Sequence, residues 1–170
     1  MSTLTWAVAA VVTDDADRVL LCRQGGAPRR WGLPGGRLRV GESPTDAVTR
    51  RVATETGWDV DLVDLVGLYR LADTAPSPAP AGRAGPLPDV LVHVFRARAR
   101  AARPARDSDG RCQLCWHDRS ALPEALTPTT RVALTDALAG RSGVLAVCGT
   151  PAGPAPQQRA EPSPDHPAPR

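Results

Sequence analysis

The residues best suited to chemistry lie in one short segment, GGRLRVGESPTDAVTRRVATETGW, at positions 35–58. Two carboxylates, Glu42 and Glu55, stand there with two adjacent arginines, Arg50 and Arg51. Residues four apart share one face of a helix, so Arg51 and Glu55 are expected to be neighbours. A carboxylate in such a place can coordinate a divalent cation, whereas an arginine beside it raises the Coulomb energy of that cation. The segment therefore combines a potential cation ligand with unusually positive surroundings.

The element that must position these groups is a helix over residues 42–57. Ser43 is a good N-cap and Pro44 fits the first helical position. Asp46 lies in the first turn, where a negative charge is favourable. Gly57 is typical of the residue that ends a helix. These residues predict where the helix starts and stops, and hence which face Arg51 and Glu55 share.

Apolar and alternating runs predict the remaining elements. Strands are expected at 5–12, 18–23, 59–72, 89–100 and 112–118, and a second helix at 127–140, capped by Thr127 and ended by Gly140. Segments rich in Gly and Pro, at 24–36 and 74–88, are expected to be loops. This order predicts one mixed α/β domain over residues 1–148. The Pro-rich segment 149–170 cannot bury a core and is expected to be a disordered tail.

Charge and composition restrict the partners. All 21 basic residues are arginines, and the net charge of +3 favours anionic small molecules. No basic run is interleaved with aromatic residues, so no nucleic-acid partner is expected. The apolar run at 5–12 is too short for a membrane span and lacks the basic flank of a signal peptide. We therefore expect a cytoplasmic protein without a membrane partner, and a homodimer stays an open alternative.

Four cysteines, Cys22, Cys112, Cys115 and Cys148, are expected to be thiols in that compartment. The CQLC sequence raises the alternative of a zinc site, but no second such pair accompanies it. Residues three apart on a strand also point to opposite faces. Ordinary thiols on a strand are therefore the favoured interpretation of Cys112 and Cys115.

WGLPGG followed by RLRVGESPTDAVTRRVATETGW resembles the Nudix box, and the resemblance extends over about residues 5–140. The matching positions are Gly36, Glu42, Arg50, Val52, Glu55, Gly57 and Trp58. The resemblance implies the Nudix fold, an α+β sandwich with a mixed β-sheet between helices. Two positions depart from the pattern, because Arg51 and Thr54 stand where the family has glutamates. A distal family carboxylate also has no glutamate counterpart near residues 110–116, where Asp107 or Asp109 is the nearest replacement.

The resemblance implies a hydrolase of a nucleoside diphosphate linked to another moiety, or of a related phosphorylated metabolite, with a reduced metal site. Glu55 and the carbonyl of Gly36 would be the ligands of Mg²⁺. The ion would bind weakly or be absent. Two alternatives stay open: metal-independent chemistry on a small metabolite, and a binding module without turnover.

Several residues are the sequence's candidates for these roles. Glu55 and Arg51 are the catalytic candidates, and Glu42 and Arg50 are expected to organise the loop as an ion pair. Further candidates contact the substrate, as anion-binding arginines or base-stacking aromatics: Arg29, Arg39, Tyr69 and Trp31.

Overall fold

The computed structural model describes residues 4–24, 29–71 and 89–148. The predicted loop at 74–88 and the predicted tail at 149–170 lie outside these residues, so the domain boundary at 148 stays a prediction. Within the described residues the chain forms eight strands and two helices. In chain order they are β1 Thr5–Thr13, β2 Val19–Gln24, β3 Trp31–Gly32, β4 Gly35–Arg37, α1 Pro44–Thr56, β5 Val60–Leu71, β6 Val90–Ala99, β7 Cys112–His117, α2 Pro128–Leu138 and β8 Val144–Cys148.

All the strands join one mixed sheet. The central order is β3-β2-β1-β6-β5-β8, while β4 pairs with β1 and β7 pairs with β2. The β1–β6 and β5–β8 pairs are parallel, and the other pairs are antiparallel. The predicted hairpin of β1 and β2 is present, with Thr13 opposite Val19. The mixed α/β prediction is confirmed.

The core has two halves, one on each face of the sheet, because successive side chains of a strand point to opposite faces. Val8, Ala10 and Val12 of β1 pack with Val48 and other residues of α1 on one face. On the other face, Ala9 and Val11 belong to a second cluster that includes Ala133, Leu134 and Ala137 of α2. The sheet therefore lies between the two helices, as the resemblance implied.

Both helices begin and end close to the residues that the sequence predicts. The Ser43 side chain accepts a hydrogen bond from the Asp46 amide at 3.1 Å. Gly57 has φ 81°, a left-handed conformation that glycine adopts without strain, and ends α1. Thr127 caps α2, whose last helical residue is Leu138, two positions before Gly140.

Three short strands were not predicted. β3 lies within the segment expected to be a loop, β4 overlaps the end of that segment, and β8 lies beyond the last predicted helix. β4 pairs with β1, and the pairing requires glycine at position 35, because a side-chain carbon there would collide with the Val8 carbonyl oxygen. β8 forms by pairing in parallel with β5, where Gly67 lies opposite Val144, and such long-range pairing leaves no local pattern.

Tyr69 is a core residue, and the expectation that it stacks a base is wrong. Its side chain is fully buried, and its hydroxyl donates a hydrogen bond of 2.9 Å to Asp136. Asp136 also forms an ion pair with Arg141 at 2.9 Å. Neither helix of the described chain is long and apolar enough to cross a membrane.

Candidate active site

A cavity of about 620 Å³ opens between the end of α1, the start of α2 and strands β1, β2 and β4. Gly35 and Gly36 of β4 form part of its wall, together with Cys22 of β2. Among the described residues, the charged side chains that line it are Arg30 and Glu55. The cavity wall is therefore mainly apolar and carries one negatively charged and one positively charged side chain.

Glu55 is held in place by hydrogen bonds to both of its carboxylate oxygens. The Gly35 amide donates to Oε2 at 2.9 Å, and the Cys112 thiol donates to Oε1 at 3.7 Å. Burial raises the pKa of Glu55 above its ordinary value, although these two hydrogen bonds and the charge of Arg51 partly oppose the rise. Asp109, a nearby negative charge, raises this pKa further. Glu55 is thus an oriented carboxylate that accepts a proton more readily than a solvated one.

Arg51 lies beside the same site but does not pair with Glu55. Its guanidinium packs against Gly36 so closely that a side-chain carbon on residue 36 would collide with it. The Nε atom is buried and has no hydrogen-bond partner among the described residues. Its positive charge nevertheless lowers the pKa of Glu55. The structure therefore places Arg51 against the glycine whose carbonyl was the second predicted metal ligand.

Glu42 and Arg50 form the expected ion pair. Arg50 donates from Nε to Oε1 at 2.6 Å and from Nη2 to Oε2 at 2.7 Å, a two-pronged contact. The backbone amide of Arg39 also donates to Glu42, at 3.1 Å. The hydrogen bonds from Arg50 are the main cause that lowers the pKa of Glu42 to about 2. This pair fixes the loop between β4 and α1.

The predicted anion-binding arginines occupy different surroundings. Arg29, Arg30 and Arg39 are all exposed, and of these three Arg30 lines the cavity. The sequence could not show which of Arg29 and Arg30 lines the cavity, because the direction of each side chain depends on the fold. Asp109 lies near the site, since its amide donates to the Thr54 carbonyl at 3.0 Å and its charge affects Glu55. Asp107 is exposed.

The start of α2 also faces the cavity. Thr127, Pro128, Thr129 and Thr130 line it. The hydroxyl of Thr129 is buried and has no hydrogen-bond partner among the described residues. The positive end of the helix dipole favours a negatively charged group here. The sequence identified Thr127 as a cap but offered no sign that the cap opens onto a cavity.

Two cysteines join the site through strand pairing. In the β2–β7 ladder Cys22 lies opposite Leu114 and Cys112 opposite Gln24, so the two cysteines share one face of the sheet. The thiol of Cys115 instead donates to the Trp116 carbonyl. Burial raises the pKa of Cys22, and it raises that of Cys112 to about 11. Cys112 and Cys115 therefore point in different directions, as expected. The neighbour of Cys112 is Cys22, which the sequence did not predict.

The residues at this site fit Mg²⁺ poorly. Mg²⁺ requires oxygen ligands in a near-ideal octahedron. Among the described residues, Glu55 is the one carboxylate that lines the cavity, and both of its oxygens already accept hydrogen bonds. The Arg51 guanidinium lies against Gly36, where a second oxygen ligand was expected. The donor set offers too little negative oxygen for this ion.

Similar proteins place the chain in a family. A family model described as the NUDIX domain matches residues 3–137. A putative 8-oxo-dGTP diphosphatase of Bacillus subtilis (strain 168) is 35% identical over 60 residues, which are 35% of this chain and 40% of that protein. A MutT-like protein of Streptomyces ambofaciens is 28% identical over 133 residues, 78% of this chain and 76% of that protein.

Solved structures agree with this placement. The structure of a NUDIX hydrolase from Nitrosomonas europaea superposes with a TM-score of 0.65 at 26% identity, over 84% of this chain and 94% of that one. The family model alone covers most of the chain. The chain therefore belongs to the Nudix hydrolase superfamily.

Proposed function

We propose that this protein hydrolyses the phosphate anhydride of a nucleoside diphosphate linked to another moiety, or of a related phosphorylated metabolite. The observation that carries the proposal is the position of Glu55, an oriented carboxylate on the wall of the cavity with its pKa raised by burial. A general base works best when its pKa is close to the working pH. Glu55 accepts the proton of the attacking water in this proposal.

The diphosphate of the substrate is held by positive charge around the cavity. Arg30 lines the wall, and the start of α2 adds the positive end of a helix dipole and the unpartnered hydroxyl of Thr129. Arg51, next to Gly36, supplies a further positive charge for the anion formed during cleavage. Because Mg²⁺ fits poorly, these arginines provide the charge neutralisation, and Mg²⁺ is expected to bind weakly.

The relatives support a nucleotide-derived substrate. The Bacillus subtilis relative is named as a putative 8-oxo-dGTP diphosphatase, and the match spans 40% of that protein. The apolar part of the cavity wall, which includes Leu33, Leu71 and Val92, suits the uncharged part of such a substrate.

Steady-state kinetics on a panel of nucleoside diphosphate derivatives test the proposal. We expect turnover by the unaltered protein, and a loss of kcat in Glu55→Gln of about 10²–10⁴-fold, the usual contribution of a general base. Glu124→Gln is the matched control, because Glu124 is exposed and does not line the cavity. Tight binding of the panel without any turnover would instead establish a binding module.

A further inference from the structure

Three potential metal ligands converge on one wall of the cavity. The Sγ atoms of Cys22 and Cys112 and a carboxylate oxygen of Glu55 all lie within 4.8 Å of one another. They come from β2, β7 and α1, so the arrangement depends on the whole fold. The Nudix pattern explains Glu55 alone, and the proposed hydrolysis uses neither thiol as a reacting group.

The spacing of these three atoms is close to that of a tetrahedral zinc site. Zinc binds thiolates at about 2.3 Å and carboxylate oxygens at about 2.0–2.2 Å, so neighbouring ligands around it lie about 3.5–3.8 Å apart. The Cys112 sulfur and the Glu55 Oε1 atom are already 3.7 Å apart. The remaining pairs need to approach by about 1 Å at most, which side-chain rotation supplies.

The charges around the cluster also suit a divalent ion. Two thiolates and a carboxylate carry three negative charges, so a divalent cation leaves the set with one. Arg51, whose charge already acts on Glu55, offsets that remaining charge. A bound cation deprotonates the thiols that coordinate it. It would therefore offset the rise in pKa that burial causes at Cys22 and Cys112. The arginine that opposes Mg²⁺ at a one-carboxylate site is therefore compatible with a cation held by thiolates.

The cluster borders the cavity through two of its three members, because Cys22 and Glu55 both line it. Three protein ligands with one position left open are typical of catalytic zinc sites, whereas structural sites have four.

We propose that Cys22, Cys112 and Glu55 form a binding site for a thiophilic divalent cation, zinc above all, with its fourth position open to the cavity. Soft thiolate ligands select zinc over magnesium, which prefers oxygen alone. The site goes beyond the proposed hydrolysis but shares Glu55 with it, and that hydrolysis needs the carboxylate free of metal, so metal binding and turnover are tested by separate measurements.

Cobalt titration of the reduced full-length protein tests the site without any substrate. Co²⁺ bound by thiolates gives an intense near-ultraviolet charge-transfer band, and we expect this band to saturate at one ion per chain. Zn²⁺ should abolish the band, and excess Mg²⁺ should leave it unchanged. Absence of the band in the unaltered protein, or its loss to Mg²⁺, would overturn the proposal.

Cysteine variants identify the ligands. We expect Cys22→Ala and Cys112→Ala each to weaken Co²⁺ binding by more than the roughly 10–100-fold that loss of an outer-shell partner causes. Cys115→Ala is the matched control and should keep the band, since its thiol points elsewhere. If Cys22→Ala does not fold, because Cys22 is buried, the half-buried Cys112 carries the test alone. An unchanged band in Cys112→Ala, or a lost band in Cys115→Ala, contradicts the assignment.

Discussion

At the scale of single residues, the site is defined by one carboxylate and one arginine. Sequence spacing placed Arg51 and Glu55 on one helix face, and the structure keeps both near the cavity. It does not join them as an ion pair, because the guanidinium packs against Gly36 while Glu55 accepts hydrogen bonds from Gly35 and Cys112. Arg51 therefore acts on Glu55 through its charge, and it leaves the carboxylate oxygens to other donors.

Replacing Glu55 by Gln should stabilise the protein at neutral pH. Burial raises the pKa of Glu55 in the folded state, so the folded protein loses stability as pH rises from the ordinary value of 4.5 through the raised value. Glutamine keeps an oxygen acceptor for the Gly35 amide without the buried charge. We expect a Tm higher by about 2–4 °C at pH 7.5, the shift that roughly 1 kcal/mol causes in a domain of this size.

Measuring the Tm gain of Glu55→Gln at low pH provides an internal control. Both proteins carry an uncharged side chain at position 55 well below pH 4.5, so their Tm values should converge there. Glu124→Gln, at an exposed position, should show no such gain at either pH. A Tm difference for Glu55→Gln that is absent at pH 7.5, or equal at both pH values, would contradict the burial of a charged carboxylate.

At the scale of elements, α1 is tied to the loop before it by the Glu42–Arg50 pair. This contact spans from the loop to the second turn of the helix and so sets the direction in which Glu55 leaves α1. The loop runs directly from β4, whose Gly35 amide holds Glu55. The pair therefore positions the site without touching the cavity.

Replacing Arg50 by Ala should release Glu42. The Arg50 hydrogen bonds are the main cause of the lowered pKa of about 2, so in the variant this pKa should return towards 4.5. Since the folded pKa is lowered, the pair's contribution to stability is present above pH 4.5 and is lost as pH falls through about 2. Titration of the Glu42 carboxyl by NMR measures the change. Arg37→Ala, at an exposed position, is the control, and a pKa still near 2 in Arg50→Ala would assign the effect to the Arg39 amide.

The elements also show what the sequence could reveal and what it could not. The caps of α1 at Ser43 and Gly57 are local chemistry, so they and the shared face of Arg51 and Glu55 were predictable. The approach of Cys22 to Cys112 depends on the β2–β7 ladder, which joins residues far apart in the chain. Sequence periodicity indicates strands but not their partners. The contact between the two thiols therefore could not be predicted from the sequence. The same holds for β8, which forms by pairing with β5.

At the scale of the whole molecule, one sheet separates two cores, and its last described strand is β8. Cys148 at the end of β8 is buried in the core that α2 covers, and the predicted tail follows directly. We expect truncation after Gly149 to leave the Tm unchanged, because Pro-rich polar sequence buries little surface. Thermal unfolding followed by circular dichroism measures this.

A second truncation supplies the comparison. Ending the chain after Ser142 removes β8 and its parallel pairing with β5, so several degrees of Tm should be lost. Equal losses from both truncations would show that the segment after residue 149 docks on the domain, and would move the predicted boundary at 148.

The central claim is that the site works with one carboxylate and a neighbouring arginine, and is not an eroded cluster of three acids. The double change Arg51→Glu with Thr54→Glu restores carboxylates at the two positions that depart from the Nudix pattern. Thr54→Glu alone is the control, because Thr54 is exposed and should tolerate the change with little loss of activity.

The decisive measurement is kcat/KM of this double variant on the best substrate of the nucleoside diphosphate panel, at fixed Mg²⁺. The account predicts a fall of about 10²-fold or more, the usual effect of removing a group that stabilises transition-state charge. A rise in kcat/KM above that of the unaltered protein would contradict it, because Arg51 would then be an obstacle to a lost magnesium site.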